Sequence, residues 1–340
     1  MSGFADIIGQ EKNTDVLRHA MQRGTVAHAY LFAGPAGVGK WTVARVFARA
    51  LNCLTSDDDA CGACRSCLKV REGNHPDIIE VAKSDDSAYY KIGRIRELIR
   101  TAQFAPYESK YKIYLIDEAE AMTPEAANAL LKTLEEPNAQ TVLVLVTAYP
   151  HQLLPTIISR CQSLRFGLLS DEQVLRWVID NMNVDGDDAD LIARLAEGSI
   201  GRAAQLDLEF LRGPRCALFE ELAGARPDHG GDALDLSQKL LEVSPDLLAG
   251  IELLAGFLRD AIVWRCTGET GRIRNQDAVE WIASYAARLP ATALSDKMRA
   301  LVQARRLVER NVLKPTIAAA LSIDLLSPHP TGFAEGRLPR

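Results

Sequence analysis

A glycine-rich loop places the strongest constraint on how this chain of 340 residues can fold. Residues 34–40 read Gly-Pro-Ala-Gly-Val-Gly-Lys, after an apolar run (Ala29–Ala33) and before a helical pattern. A strand, a tight glycine turn and a helix in this order direct backbone N–H groups and the positive helix end at one point, which suits phosphate. The alternative is an ordinary glycine-rich turn. The residues expected to hold the β- and γ-phosphates of a nucleotide are Gly34, Gly37, Gly39 and Lys40.

The residue after Lys40 departs from the usual pattern of such loops. A Ser or Thr normally follows the lysine, because its hydroxyl binds the Mg²⁺ that bridges the phosphates. Here the position is Trp41, which offers no oxygen, and Thr42 comes one residue later. We therefore expect that ATP with Mg²⁺ remains a possible ligand but is held more weakly, with Thr42 as the remaining candidate hydroxyl.

A second motif supplies two carboxylates. Residues 112–118 read Lys-Ile-Tyr-Leu-Ile-Asp-Glu, an apolar run that ends in Asp117 and Glu118. In ATPases with a phosphate loop, an aspartate at this place supports the metal and a neighbouring glutamate polarises the attacking water. Two adjacent acids on a surface loop are the alternative.

The first 167 residues alternate short apolar runs with amphipathic helical patterns, which is typical of an α/β fold with a parallel sheet. Apolar residues on successive positions are expected of strands buried on both faces. The predicted strands are Ala29–Ala33, Asp77–Val81, Lys112–Asp117, Thr141–Thr147 and Gln162–Phe166. The clearest predicted helices are Lys40–Asn52, Ile92–Gln103 and Pro124–Glu136.

After Phe166 the sequence pattern is helical. Ser170–Asn181 opens on Ser-Asp-Glu-Gln, a capping pattern, and two short helices are predicted at Asp187–Glu197 and Gly201–Leu211. The predicted domains are an α/β domain over 1–167, a small helical lid over 168–211, a helical domain over 212–327 and a loose tail over 328–340.

Four of the seven cysteines lie within fifteen residues. Their separations of seven, two and two residues can close around one tetrahedral ion, and four thiolates indicate structural Zn²⁺ rather than a catalytic metal. Four free thiols are the alternative. The predicted metal ligands are Cys53, Cys61, Cys64 and Cys67, whereas Cys161, Cys216 and Cys266 stand alone.

Charge and hydropathy bear on the cellular setting and on nucleic-acid binding. The formal net charge is −6, so we expect the isolated chain to bind DNA weakly, because phosphate contacts require cationic side chains. The N-terminus lacks the basic start and apolar core of a secretory signal. We expect a cytoplasmic protein with no membrane partner.

The order of phosphate loop, cysteine cluster and acidic strand resembles the bacterial clamp-loader subunits, which are AAA+ proteins. Further matching stretches are His75-Pro-Asp77, residues 127–137 (Ala-Asn-Ala-Leu-Leu-Lys-Thr-Leu-Glu-Glu-Pro) and Ser159-Arg160-Cys161. The resemblance is specific from residue 4 to about residue 205. It implies that Arg160 reaches the ATP of a neighbouring subunit as an arginine finger, a role that suits a planar, permanently charged guanidinium.

Within this family the resemblance separates motor from non-motor subunits. Motors carry the hydroxyl that Trp41 lacks, and a sensor arginine in a Gly-Ser-Leu-Arg type motif, where this chain reads Gly198-Ser-Ile-Gly201. The first sensor position is matched by Thr147. Two departures at independent positions favour a non-motor subunit with weak or absent ATPase activity of its own. An active motor, or a loader in which Thr42 restores metal binding, is the alternative.

The resemblance also implies an assembly. The helical domain would be a collar through which five subunits assemble and load the sliding clamp onto primed DNA. The implied partners are the gamma/tau motor subunits, the delta subunit and, through the complex, the sliding clamp and primer–template DNA. An adaptor working outside replication is a third hypothesis.

Overall fold

The chain folds into two compact units in a computed structural model that describes residues 3–83, 89–226, 229–244 and 247–328. The first unit comprises Met1–Met182 and Ala196–Ala204, and the second comprises Asn183–Leu195 and Gln205–Arg340. The stretch predicted as a lid, 168–211, is therefore shared between the two units. That it acts as a separate domain stays a prediction, and the predicted tail lies, from residue 329 onward, outside the described residues.

A parallel sheet of five strands forms the centre of the first unit, in the order β2-β3-β4-β1-β5. All five predicted strands are present, and β2, β3 and β5 are each one residue shorter at one end than predicted. The strands are β1 (Ala29–Ala33), β2 (Ile78–Val81), β3 (Lys112–Ile116), β4 (Thr141–Thr147) and β5 (Gln162–Arg165).

The central strands are apolar on successive positions because both faces of the sheet are covered. Alternate residues of a strand point to opposite faces, so Tyr30 and Phe32 of β1 enter one hydrophobic cluster and Ala29 and Leu31 enter the other. β4 is buried along its whole length. This arrangement confirms the predicted α/β fold with a parallel sheet.

Helices cover both faces of this sheet. In the chain they stand before, between and after its strands. The predicted cap of the helix Asp171–Met182 is confirmed: the Ser170 hydroxyl accepts from the Gln173 N–H at 3.1 Å, and the Gln173 side chain accepts from the Ser170 N–H at 3.0 Å. The helices of the first unit are α1 (Glu11–Gln22), α2 (Lys40–Leu51), α3 (Arg65–Arg71), α4 (Ile92–Ala102), α5 (Pro124–Glu135), α6 (Pro155–Ile158), α7 (Asp171–Met182) and α9 (Ile200–Ala203).

In the described residues of the second unit, every regular element is a helix. Its core is one apolar cluster, at whose centre the rings of Phe219 and Phe257 lie 4.9 Å apart and those of Phe257 and Tyr285 lie 5.5 Å apart. The helices are α8 (Gly186–Leu195), α10 (Leu208–Phe210), a π-helical turn (Leu211–Arg215), α11 (Cys216–Gly224), α12 (Gly230–Val243), α13 (Leu248–Thr267), α14 (Val279–Ala287), α15 (Ala291–Glu309) and α16 (Lys314–Leu326).

The prediction of a single helix over Gly201–Leu211 is wrong. α9 ends at Ala203, and α10 begins at Leu208. The Asp207 carboxylate caps the new helix by accepting from the Glu209 N–H at 3.0 Å. Aspartate is favoured at such a cap because its short side chain accepts a hydrogen bond from a free N–H group at the helix start.

The His75-Pro-Asp77 stretch joins three parts of the first unit. The buried Asp77 carboxylate accepts N–H groups from Tyr107, Glu108 and Ser109 at 2.6, 2.9 and 3.0 Å. Burial alone would raise the pKa of Asp77, but these hydrogen bonds hold it below its usual range. The His75 ring lies 3.1 Å from the Ser66 hydroxyl on α3. The stretch thus fixes the loop before β3 and anchors α3.

In the part of the chain that the structure describes, no helix combines the length and apolar character needed to cross a bilayer.

Candidate functional site

A cavity of about 390 Å³ opens at the carboxyl edge of the sheet. Its walls come from the segments that directly follow β1, β3 and β4, the place where open α/β sheets commonly bind ligands. Six of the residues predicted from the sequence line it, namely Gly37, Gly39, Lys40, Thr42, Asp117 and Glu118. The structure therefore brings the glycine-rich loop and the acidic strand end into one site.

Lys40 begins α2 and is almost fully buried at the base of the cavity, with 6% of its surface exposed. Its ammonium group donates to the carbonyl oxygens of Gly34 at 2.7 Å and Pro35 at 2.6 Å. Burial lowers the pKa of Lys40, and the nearby carboxylates of Asp117 and Glu120 oppose that shift. The lysine is held inside the loop where it can meet a phosphate group.

The two predicted carboxylates differ in their surroundings. Asp117 is half-buried and its pKa is raised, mainly because burial disfavours the charged form. Glu118 has a left-handed backbone with φ of 44°, a conformation that is costly for a residue with a side chain. Its side chain is 58% exposed and pairs with Lys83. Asp117 faces the site, whereas Glu118 is held at its rim.

Trp41 and Thr42 both line the cavity. The Trp41 ring also packs against the hydrophobic cluster beneath α2. The indole therefore occupies the first turn of α2, where a hydroxyl would otherwise meet the metal. The Thr42 hydroxyl stands one residue further along the helix, which is about 100° around its axis.

The turn at the start of α9 lies directly on the glycine-rich loop. The Gly201 N–H donates to the Gly37 carbonyl at 2.9 Å, and the Ser199 hydroxyl donates to the Ala36 carbonyl at 3.0 Å. A Cβ atom on Gly201 would come within 2.7 Å of the Gly37 Cα. Position 201 cannot carry a side chain while this contact is made.

Thr147 and Arg160 lie outside the lining of the cavity. Thr147 is buried and its hydroxyl accepts from the Tyr149 N–H at 3.0 Å. The residues that line the cavity here are its neighbours, Val146 within β4 and Ala148 just after it. Arg160 follows α6 and pairs with Glu135 at 2.6 Å. The sensor-like role of Thr147 and the arginine-finger role of Arg160 stay predictions.

The four cysteines of the predicted metal site come together. The sulfur atoms of Cys53, Cys61, Cys64 and Cys67 all lie within 4.8 Å of one another. Cys61 and Cys67 are 3.9 Å apart, close to the roughly 3.8 Å edge of a tetrahedron with Zn–S bonds of about 2.3 Å.

Backbone N–H groups point at these sulfur atoms. The Cys53 sulfur accepts from the Cys61 N–H at 3.5 Å, the Cys61 sulfur from the Cys64 N–H at 3.2 Å, and the Cys64 sulfur from the Cys67 N–H at 3.5 Å. A hydrogen bond from Thr55 and backbone N–H groups lower the pKa of Cys61 to about 6, while burial raises the pKa of Cys67. Donors aimed at sulfur favour thiolate, the form that binds metal, so the cluster could bind a zinc ion.

The sequence did not single out several residues that line the cavity. Ile7, Ile8 and Trp177 come from segments far from the loop in the chain, and no local pattern marks them. Glu120 follows Asp117 by three residues and could have been noticed as a third acid. One of its carboxylate oxygens accepts from the Ala148 N–H at 3.1 Å.

A phosphate-type loop, an acidic strand end and this strand order together define a P-loop protein of the AAA+ class. A family described as "DNA polymerase III, delta subunit" matches residues 9–170, and one described as "DNA polymerase III, delta subunit, C terminal" matches residues 214–313. The chain belongs to the family of DNA polymerase III clamp-loader subunits.

Curated relatives carry related names. The chain is 31% identical to DNA polymerase III subunit tau of Bacillus subtilis over 86% of its own length and 55% of the relative's. It is 37% identical to the tau subunit of Escherichia coli over 60% of its own length and 32% of the relative's. The chain thus spans about half, or less, of the length of these relatives.

Two solved structures align with this chain at low identity. A gamma subunit-related protein of Thermotoga maritima aligns over 92% of this chain and 98% of its own, at 18% identity and a TM-score of 0.40. The RuvB branch migration motor of the same organism aligns over 64% of this chain and 65% of its own, at 18% identity and a TM-score of 0.40.

Proposed function

We propose that this chain is the delta prime type of clamp-loader subunit, a stator that completes the ATP site of a neighbouring motor and hydrolyses little or no ATP itself. The observation that carries the proposal is Trp41. Trp41 directly follows Lys40 in the sequence and lines the cavity. The usual hydroxyl ligand of Mg²⁺ is therefore missing at the point where the metal must be held. Gly201, seated on Gly37, adds a second departure from a motor site.

Arg160 is the residue proposed to act on the neighbour. Its side chain is 34% exposed, outside its own cavity, and it pairs with Glu135, which is 49% exposed. A carbonyl oxygen, that of Thr156, also accepts from the guanidinium at 3.0 Å. Exposed ion pairs contribute roughly 0–1 kcal/mol, so releasing Glu135 to meet a phosphate of another subunit costs little.

The cysteine cluster is proposed to hold a structural Zn²⁺. Four thiolates leave no open position on the metal, so the ion would cross-link the chain rather than activate water. Cys53 follows α2, and Cys67 lies within α3. The ion would therefore tie the loop after α2 to α3, whose Ser66 also contacts His75.

The proposed partners are the gamma/tau motor subunits, the delta subunit and, through the assembly, the sliding clamp and primer–template DNA. Support comes from relatives named as tau and gamma subunits. The net charge of −6 favours contact with DNA through the assembly rather than by this chain alone.

The test is ATP turnover by the reconstituted loader containing Arg160→Ala or Lys40→Ala in this chain. We expect Arg160→Ala to slow the neighbouring site by about 10³-fold or more, the usual contribution of an arginine finger. Lys40→Ala should leave turnover unchanged. Glu135→Gln is the matched control, because it removes the negative charge opposite Arg160 and keeps the guanidinium.

An ATP-hydrolysing motor of the gamma/tau type is the second candidate. It is favoured by the presence of Lys40, Thr42 and Asp117 in one cavity and by 37% identity to proteins named tau. This candidate requires turnover that falls with Lys40→Ala as much as with Arg160→Ala, which is the result that would refute the stator.

A further inference from the structure

The cysteine module (residues 53–67) is joined to the N-terminal segment (residues 3–10) by the carboxylate of Asp59. One oxygen of Asp59 accepts from the Phe4 N–H at 2.8 Å, and the other accepts from the Arg18 guanidinium on α1 at 2.9 Å. The Arg18 guanidinium also lies 5.5 Å from the centre of the Phe4 ring, and that ring is buried in the hydrophobic cluster beneath α2. A hydrogen bond, an ion pair and apolar contact therefore hold the start of the segment against the module.

The same segment forms part of the cavity wall. Ile7 and Ile8 both line the cavity. Beyond them, the Gln10 side chain donates to the Gly167 carbonyl at 2.8 Å and to the Val38 carbonyl at 3.4 Å. The segment is thus held at one end by the cysteine module and at the other by the glycine-rich loop, with the two isoleucines between these attachments.

The loop that carries Asp59 has no regular structure to keep its shape. Residues 52–64, all of which the structure describes, contain neither a helix nor a strand. Ordering such a loop costs conformational entropy, which other contacts must offset. Asp59 lies between Cys53 and Cys61, whose sulfur atoms are within 4.8 Å of each other. A metal ion bound to both thiolates would close the loop around Asp59 and fix where its carboxylate lies.

We propose that the cysteine module positions the N-terminal wall of the cavity, and that it does so only with its metal bound. Asp59 is the positioning residue, because it passes the order of the metal-bound loop to the segment that carries Ile7 and Ile8. When the metal is lost, Asp59 leaves Phe4 and Arg18, and the wall opens. The inference rests on the proposed zinc site and is independent of whether the chain hydrolyses ATP.

Amide hydrogen exchange of residues 3–10 in the purified full chain, before and after a chelator removes the zinc, tests the proposal. We expect zinc removal to speed exchange in this segment by at least about tenfold, because a charge-assisted hydrogen bond and an ion pair are lost together. Exchange in the central strands should stay unchanged. A chain that has lost its zinc and still protects residues 3–10 overturns the proposal.

Asp59→Asn separates the docking contact from the metal site. The variant loses the charge that pairs with Arg18, so exchange in residues 3–10 should be faster with the zinc still bound. Zinc removal should then add less than about twofold, because two changes that break the same link are not additive. Asp57→Asn is the matched control: it removes the same charge at an exposed position in the same loop, and its exchange should match that of the wild type.

Two results with Asp59→Asn overturn the proposal: a segment that stays protected, or zinc removal that speeds its exchange as much as in the wild type. If zinc removal also speeds exchange in the central strands of the wild type, the zinc-bound Asp59→Asn chain decides, since it breaks the link without removing the metal. Zinc content is measured in every sample.

The outcome is separable from that of the proposed function. A wild-type chain purified without zinc refutes the proposed metal site, and the metal-dependent wall with it. A zinc-bound chain whose N-terminal segment ignores both Asp59→Asn and zinc removal refutes the wall and leaves the metal site intact. The stator role is tested separately, because it is read from ATP turnover by the assembled loader with Arg160→Ala.

Discussion

Replacing Gly201 with alanine isolates the contact between the α9 turn and the glycine-rich loop. The added Cβ would lie 2.7 Å from the Gly37 Cα and 3.4 Å from the Gly37 carbonyl oxygen. Gly37 has a left-handed backbone with φ of 73°, so it cannot retreat without changing the loop. We expect the α9 turn to lift away from Gly37.

The size of the effect follows from three contributions. Overpacking of a close contact costs about 1–3 kcal/mol. Loss of the hydrogen bond from Gly201 to Gly37 costs about 0.5–1.5 kcal/mol more. Alanine favours a helix over glycine by about 1 kcal/mol, which acts in the opposite direction. The net destabilisation of the docked turn is therefore about 0.5–3.5 kcal/mol, and its sign is opposite to that expected from helix propensity alone.

Amide hydrogen exchange of residues 196–204 measures this directly, because local opening exposes the Gly201 N–H without unfolding the whole unit. A cost of about 0.5–3.5 kcal/mol corresponds to protection reduced about 2- to 300-fold. Exchange in the central strands should stay unchanged.

Gly93→Ala is the matched control. Gly93 lies in α4, and nothing lies within 4 Å of the Cβ that would be added there. That variant should gain stability from helix propensity. If Gly201→Ala leaves protection in 196–204 unchanged or increases it, as a propensity effect would, then the steric reasoning about positions 37 and 201 is refuted.

Two further predictions concern the first unit. Asp77→Asn should lower the free energy of unfolding by about 2–4 kcal/mol at neutral pH, since charge-assisted hydrogen bonds contribute about 1.5–3 kcal/mol each and the amide keeps one acceptor. Folding lowers the pKa of Asp77. Its contribution to the free energy of unfolding is therefore present above the unfolded pKa of about 3.9 and is lost as pH falls through the folded pKa. Urea midpoints measured against pH should lose this acid dependence in the variant. Metal analysis of the purified chain should find one zinc per molecule and none in Cys67→Ser, and a zinc-free wild type would contradict the four-thiolate site.

Local motifs predicted the elements of the candidate site. The loop at 34–40 and the acids after β3 came together because parallel strands place their carboxyl ends at one edge, and β1 and β3 flank β4. The strand predicted to include Asp117 ends at Ile116, where its pairing with β2 and β4 also ends. Asp117 therefore lies beyond the paired part of the strand, and it lines the cavity.

The remainder of the site could not be read from local sequence. Trp177 reaches the cavity from α7, and Ile7 reaches it from before α1, so their approach depends on tertiary packing. Thr147 illustrates a different limit of prediction from the sequence. β4 is buried on both faces, so its sequence carries no alternation of polar and apolar residues, and nothing indicated that Val146 and Ala148, rather than Thr147, line the cavity.

The division of the chain has a practical consequence for dissecting the protein. The polypeptide passes from one unit to the other at Asn183, returns at Ala196 and leaves again at Gln205. In the second unit, α8 bonds to later segments: Asp188 pairs with Arg212 at 2.5 Å, and the Arg194 carbonyl accepts from Arg274 at 2.7 Å. A single cut in the gene therefore cannot yield both units intact. A fragment that stops at residue 211 would contain α8 but lack Arg212 and Arg274, the residues that bind it.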